Sequence, residues 1–252
     1  MYTPKYVDTR FDGGGAFPSI VAVQLRAGGT SDMMALTPVN LRSVAVIGSR
    51  CDDIATGAGA TLIEIARDKQ DLVVHALVLT GGGTEREVEE KSAFAALCPT
   101  ADVRLTVADL PSGELSSHRG RVQKLLADFR QDCEPDMVFG PQSGDHDHDR
   151  QLLNELIPNA FRDQPILGYE ILAWESELPS TSLYLPISTD AAHEKARLLT
   201  RCYSPQSGKG WCDDEAVLGL MRVRGVQCRA RYAEAFTVEK SVLEIGPDHS
   251  VN

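Results

Sequence analysis

The sequence lacks several features that mark common classes of protein. It has 25 Lys and Arg residues against 36 Asp and Glu residues, a net charge of −11, and no basic stripe to replace the counterions of nucleic-acid phosphates. No long apolar span or secretory leader is recognised. Its six cysteines show no C-x-x-C spacing, which favours a reducing, cytoplasmic setting. These absences argue against nucleic acid and membrane as partners and favour a small-molecule substrate, with a homo-oligomer left open.

The chain does contain enough apolar residues for a core and a repeated alternation of strands and helices. At 252 residues and 42% hydrophobic, it suits one large domain with an appendage. Residues 1–42 are glycine-rich and predicted to form an irregular arm, whereas residues 43–252 are predicted to form a single domain. There, helical patterns separate strand-like runs at 43–48, 72–80, 102–107, 136–140 and 166–172. This pattern predicts a Rossmann-like three-layer α/β sandwich, with helices on both faces of a mainly parallel sheet.

Polar residues cluster directly after three predicted strands, where parallel sheets carry their active sites. These strand exits read GSRCDD, TGGGTERE and GPQSGDHDHDR. In the first, the adjacent carboxylates Asp52 and Asp53 could share metal binding and proton transfer, or could cap the next helix. The glycines of the second could cradle a phosphate, but no Walker lysine follows, so we interpret them as a substrate-binding turn. The third exit concentrates two histidines and three aspartates between Asp145 and Asp149.

The order of these motifs resembles the LmbE/PIG-L family of zinc-dependent N-deacetylases. The residues from Arg50 to Asp53, with GAGATL (57–62), resemble a strand end H-P-D-D or H-C-D-D followed by G-x-G-[GA]-T-L. TGGGTEREVEEKSA, which contains Arg86, resembles a T-x-G stretch with R-x-x-E-x-x-x-A, and YAEAF (232–236) resembles the closing motif. The resemblance extends over most of the chain and implies the same α/β fold.

The first motif departs from the family at a metal ligand. The resemblance implies that its histidine and second aspartate ligate zinc and that its first aspartate is the general base. Those positions are Arg50, Asp53 and Asp52 here. Because a guanidinium stays protonated and offers only hydrogen-bond donors, Arg50 cannot ligate a metal.

The second family motif, D-x-H-x-D-H, departs in the same way. Alignment without gaps through DRQLLNELIP places Asp145, Asp147, Asp149 and Arg150 at its four named positions, so the second histidine ligand is also an arginine. A shift of one or two residues would instead bring His146 or His148 near Asp53. A zinc site with Asp53 and His148 as ligands is then chemically possible. We rank this register second because it breaks the agreement with LLNELIP.

The sequence therefore predicts a pocket in which fixed guanidinium charge replaces a dication. The candidate acid–base residues are Asp52, Asp53, Asp147 and Asp149. The candidate substrate-binding residues are Arg50, Arg150, Arg86, His146, His148 and Tyr169. No metal or other cofactor is expected, with zinc as the alternative.

Three functions are compatible with such a pocket. The preferred one is metal-independent acid–base chemistry on a small polar or glycosylated metabolite of a biosynthetic pathway. The reason is that the acids of the family motifs are present in this sequence, whereas their metal-binding histidines are not. The first alternative is a zinc-dependent N-deacetylase of an N-acyl amino sugar or related conjugate. The second alternative is a non-catalytic binding protein.

Overall fold

A computed structural model of the chain divides into two units, residues 1–40 and residues 41–252. It describes residues 20–24, 35–38, 40–172, 178–203 and 213–238. In the first unit, strands β1 (Ile20–Gln24) and β2 (Ala35–Pro38) pair antiparallel. Most other residues of the arm that was predicted to be irregular lie outside the described residues.

The second unit is built on a seven-stranded sheet. Its strands are β3 (Ser43–Gly48), β4 (Val73–Thr80), β5 (Asp102–Leu110), β6 (Met137–Pro141), β7 (Ile166–Tyr169), β8 (Leu183–Ile187) and β9 (Tyr232–Val238). The spatial order is β5-β4-β3-β6-β7-β9-β8. Neighbouring strands are parallel from β5 to β7, whereas β9 runs antiparallel to both β7 and β8. The sheet is therefore mainly parallel, as the sequence predicts.

Six α-helices are found in the described part of this unit. They are α1 (Asp53–Asp68), α2 (Glu85–Leu97), α3 (Arg119–Gln131), α4 (His148–Ala160), α5 (Thr189–Cys202) and α6 (Asp214–Gln227). One apolar cluster includes Leu62 of α1, Phe94 of α2 and Leu199 of α5, while a separate cluster includes Leu126 of α3 and Leu153 of α4. The two clusters give the sheet a core on each side, and the predicted α/β sandwich is confirmed.

Helix α1 begins at Asp53 and therefore contains the whole GAGATL stretch (57–62). The glycines of GAGATL are typical of a loop, but packing requires one of them, Gly57. A Cβ atom on Gly57 would lie 2.2 Å from the Tyr169 ring, so only glycine lets this helix approach β7 so closely. Tertiary packing therefore outweighs local helix propensity at this position.

The strand order places a crevice between β3 and β6. The chain moves outward from β3 through β4 to β5, and then returns to add β6 and β7 on the other side of β3. Such a reversal is the point at which open α/β sheets bind ligands, beyond the carboxyl ends of the strands. The segments that follow β3 and β6 contain Asp53 and Asp145, respectively. No helix among the described residues is long and apolar enough to cross a membrane.

Candidate active site

A tight turn after β3 fixes the buried carboxylate of Asp53. Its Oδ2 atom accepts hydrogen bonds from the Ser49 amide (3.0 Å), the Ser49 hydroxyl (2.5 Å) and the Arg50 amide (3.0 Å). Its Oδ1 atom lies 3.5 Å from Nη1 of Arg150, at the start of α4. Both oxygens of Asp53 are therefore engaged by groups of the protein.

The cation at the centre of the crevice is the guanidinium of Arg150. This residue is only 4% exposed, and its Nε donates to Oδ2 of Asp145 at 2.7 Å. Burial acts to lower the pKa of Arg150, but the carboxylates of Asp53, Asp145 and Asp147 outweigh it and raise the pKa above the ordinary value. Arg150 thus connects the segment after β3 to the segment after β6 as a permanent positive charge.

Asp147 links this buried centre to the more open residue Arg50. As the N-cap of α4, Asp147 accepts hydrogen bonds through Oδ1 from the amides of Asp149 and Arg150, each at 3.1 Å. Its Oδ2 lies 3.0 Å from Nη2 of Arg50, whose side chain is 35% exposed. Burial acts to raise the pKa of Asp147, but the Arg150 amide and the two guanidiniums lower it below the ordinary value. Arg50 thereby holds a fixed charge at the rim of the crevice.

Asp52 is arranged differently from Asp53. Its backbone has φ 93°, in the left-handed region, and its side chain makes no capping hydrogen bond to α1. Its amide donates to Oε2 of Glu90 at 3.0 Å, and the residue is partly exposed. The alternative interpretation of Asp52 as a helix-capping side chain is thus not what the structure shows.

Two of the predicted site residues have their polar atoms committed to the backbone. Asp149 is 2% exposed, and its two carboxylate oxygens accept hydrogen bonds from the amides of Gly113 (2.6 Å) and Leu115 (3.0 Å), in the segment after β5. Tyr169 is completely buried, and its hydroxyl donates to the carbonyl of Ile47 at 2.8 Å. Both side chains stabilise the strand exits around the crevice.

The remaining predicted residues lie at the periphery. His146 and His148 are exposed, and Nδ1 of His148 lies 3.4 Å from Oε1 of Gln151 on the same helix. Arg86 forms a hydrogen-bonded ion pair with Glu89 at 2.9 Å on α2. The structure therefore brings Arg50, Asp53, Asp147 and Arg150 into one network and gives Arg86 and His148 other partners.

The side chains at the centre do not fit the zinc ion that the family resemblance implies. Arg150 occupies a predicted ligand position and presents only donors to Asp53 and Asp145. The second oxygen of Asp53 is occupied by three donors. Across the described ranges, no three His, Cys, Asp or Glu side chains form a group that could hold a metal ion.

The sequence analysis does not identify Glu90, which contacts the Asp52 amide, or Tyr203, which contacts Glu90. Glu90 is completely buried on α2, and its Oε2 atom also accepts a hydrogen bond from the hydroxyl of Tyr203 at 2.6 Å. A sequence signal for Glu90 does exist, because it shares the buried face of α2 with Ala93, Phe94 and Leu97. An acid in an apolar helical stripe marks a residue with a specific partner. We find no comparable signal for Tyr203.

Asp145 is at the first position of the second motif, but the sequence alone does not single it out as a site residue. The structure shows it buried at 6% exposure and bonded to Arg150, while its Oδ1 accepts from the Asp147 amide at 2.9 Å. It is one of the three carboxylates that surround the two guanidiniums. The sequence does not indicate that the Arg150 side chain points back toward the loop that precedes its own helix.

No family model matches the sequence, and no curated protein matches it. Solved structures do match. A conserved protein from Thermus thermophilus is 22% identical, with a TM-score of 0.65 over 84% of this chain and 100% of that one. The 4-carboxy-2-hydroxymuconate hydratase of Pseudomonas putida is 16% identical, with a TM-score of 0.62 over 82% of this chain and 100% of that one.

A third solved structure is the N,N'-diacetylchitobiose deacetylase of Pyrococcus horikoshii. It is 17% identical to this chain, with a TM-score of 0.57 over 79% of this chain and 84% of that one. At these identities, the likenesses show a shared fold. The same α/β architecture therefore serves both a deacetylase and a hydratase.

Proposed function

We propose that the chain is an enzyme that performs metal-independent acid–base chemistry on a small polar or glycosylated metabolite of a biosynthetic pathway. The observation that supports this proposal is the position of Arg150. Its buried guanidinium lies 2.7 Å from Asp145 and 3.5 Å from Asp53, where it supplies the positive charge that the family resemblance assigns to zinc. The crevice consequently keeps its acids without depending on a metal for their neutralisation.

Asp52 is the acid–base residue in this proposal. It is partly exposed in the turn after β3, whereas Asp53 and Asp149 are almost fully buried. A carboxylate on a strand exit can take a proton from a substrate or from water and return it later. Asp53 and Asp147 contribute by holding the guanidiniums of Arg150 and Arg50.

Arg50 is the substrate-orienting residue in the same proposal. Its side chain is partly exposed at the rim, and its contact with Asp147 is made through Nη2. Because a guanidinium carries five donors in a planar fork, it can contact Asp147 and an anionic or polar substrate group at the same time. Developing negative charge on the substrate would be stabilised next to it.

The solved structures support an enzyme but favour no single reaction. A hydratase adds water and a deacetylase uses water to cleave an acyl group, and both reactions need a group that moves protons. A zinc-dependent N-deacetylase is our second candidate, because the Pyrococcus horikoshii enzyme with this fold acts as a deacetylase. In that case Asp53 and His148 are the candidate ligands. A non-catalytic binding protein is the third interpretation of the same pocket.

The substitution Asp52→Asn tests the proposal directly. Turnover should be screened on N,N'-diacetylchitobiose, other acetamido sugars and 4-carboxy-2-hydroxymuconate. On a substrate that the parent enzyme converts, we expect the variant to lose about 100-fold or more in rate, with an unchanged melting temperature. Asp68→Asn, an exposed residue at the end of α1, is the matched control. Unchanged turnover in Asp52→Asn would show that another residue performs the proton transfer.

Metal analysis separates the first two candidates. Protein purified without chelators should contain well below one zinc per chain by elemental analysis. If the protein instead contains about one zinc per chain and His148→Ala loses it, our alignment of the second motif is wrong. The zinc-dependent N-deacetylase is then the favoured function.

A further inference from the structure

Glu90 is a buried acid that the proposed chemistry does not use. It is completely shielded from solvent, and its Oε1 atom has no hydrogen-bond partner among the described residues. Burial raises the pKa of Glu90 to about 7, even though hydrogen bonds from Tyr203 and from the Asp52 amide act to lower it. A carboxyl group in this position is costly, so an apolar side chain would be expected if α2 only had to pack.

The other oxygen of Glu90 has two specific partners. Oε2 accepts the Asp52 amide at 3.0 Å and the Tyr203 hydroxyl at 2.6 Å. Tyr203 is itself 2% exposed and caps the carboxyl end of α5, whereas Glu90 lies on α2. Two helices from distant parts of the chain therefore converge on one backbone amide of the β3–α1 junction.

That junction holds Asp52 in an unfavourable conformation. A φ of 93° lies in the left-handed region, which costs free energy for any residue with a Cβ atom. Such a conformation persists only where surrounding contacts impose it. The Glu90 acceptor is a contact of this kind. It holds the peptide plane before Asp52, while the Asp52 carbonyl accepts the Thr56 amide at 2.9 Å and so holds the plane after it. With both planes held, φ and the direction of the Cα–Cβ bond are fixed.

We propose that Glu90, oriented by Tyr203, is a positioning residue that imposes the left-handed backbone of Asp52 and so aims its carboxylate into the crevice. This inference rests on the proposed acid–base role of Asp52. Glu90 acts through the Asp52 peptide group and needs only an oxygen acceptor to do so. The charge of Glu90 has no part in this role.

Two substitutions at this position separate the acceptor from the charge. In Glu90→Gln, the amide oxygen can still accept both the Asp52 amide and the Tyr203 hydroxyl. In Glu90→Met, a side chain of similar length has no comparable acceptor. Tyr203→Phe removes one supporting hydrogen bond without changing the shape of the core, and it serves as the milder variant should Glu90→Met fail to fold.

Crystal structures of the variants provide the first measurement. We expect residue 52 to keep a positive φ in Glu90→Gln and to relax toward negative φ in Glu90→Met, with a partial shift in Tyr203→Phe. Glu89→Met is the geometric control, because Glu89 contacts Arg86 on the same helix and should leave residue 52 where it is. An unchanged φ and carboxylate position in both Glu90→Met and Tyr203→Phe would overturn the inference.

Kinetics on a substrate that the parent enzyme converts provide the second measurement. Glu90→Met should lower kcat by about 10- to 100-fold with little change in KM, and Glu90→Gln should restore most of the loss. A Glu90→Gln variant as impaired as Glu90→Met would overturn the acceptor role. If the parent enzyme converts no probe, the proposed function has failed, whereas the φ of residue 52 still decides whether Glu90 positions it.

Discussion

Arg150 is the buried cation of the candidate site. Its guanidinium is buried against Asp53 and Asp145 and connects two strand exits that are far apart in sequence. A buried carboxylate needs a compensating charge, and here this charge is covalently part of the chain. The guanidinium therefore supplies a compensating charge that is fixed by the fold itself.

Arg150→Met should show how much this charge contributes to the free energy of unfolding. Removing one partner of a buried ion pair leaves uncompensated carboxylates, so we expect a loss of about 3–5 kcal/mol in the free energy of unfolding, measured with urea. Arg121→Met is the control, because its ion pair with Asp109 is exposed and should contribute little. If Arg150→Met is as stable as the parent protein, Arg150 does not neutralise the centre.

The charge of Asp147 should make the free energy of unfolding depend on pH, and Asp147→Asn tests this. The pKa of Asp147 is lower in the folded state than its ordinary value of 3.8, so its charge stabilises the fold above that pH. This contribution should be lost as the pH falls through the lowered pKa. Asparagine keeps the N-cap of α4, so the variant isolates the charge. The difference in free energy of unfolding between the two proteins should be constant near neutral pH and shrink below pH 3.8, whereas a difference independent of pH would contradict the assignment.

At the level of secondary structure, the amino ends of α1 and α4 form the site. Asp53 is the first residue of α1 and Arg150 lies in the first turn of α4, so the two residues meet where both helices leave the sheet. A second buried ion pair holds α1 farther along, where Glu234 of β9 accepts the amides of Ala60 and Thr61 at 3.0 and 2.7 Å. Lys195 of α5 pairs with Glu234 at 2.6 Å. The second half of the GAGATL stretch is thus tied to β9.

The carboxylate of Asp149 connects α4 to the segment after β5. Asp149→Ala leaves the amides of Gly113 and Leu115 without their acceptor, and we expect faster hydrogen exchange at both amides. Stability should fall by about 1–3 kcal/mol. Glu114→Ala, in the same segment, is the control. Normal exchange with a large loss of turnover in Asp149→Asn would instead support the predicted catalytic role of Asp149.

For the whole molecule, the position of the site follows from the strand order. The reversal of strand order between the parallel strands β3 and β6 opens the crevice, and the segments that follow both strands supply its charged residues. Solved structures with this fold include a deacetylase and a hydratase. One fold therefore accommodates different chemistries, which the side chains at the strand exits must distinguish.

Histidines introduced at positions 50 and 150 test whether the scaffold can form a metal site. In Arg50→His/Arg150→His, both guanidiniums are replaced by imidazoles beside Asp53, and we expect the variant to bind about one zinc per chain by elemental analysis. Zinc should also raise its melting temperature, since a ligand that binds only the folded state stabilises it. Arg50→Gln/Arg150→Gln removes the same charges without adding ligands and should bind none. Equal zinc content in the two variants would show that positions 50 and 150 do not converge.

The sequence by itself determined the α/β class, the start of the repeating fold at Ser43 and the position of Arg50 and Arg150 beside acids at predicted strand exits. These features follow from local hydrophobic period and motif order, which need no knowledge of distant contacts. Only the tertiary structure decided that Arg150 faces Asp53, that Asp149 turns to Gly113, and that Glu90 and Tyr203 meet below Asp52. Those contacts depend on strand order and on the rotation of each helix about its axis. Residues such as Arg150 and Asp53, 97 positions apart, become neighbours only when the sheet is assembled.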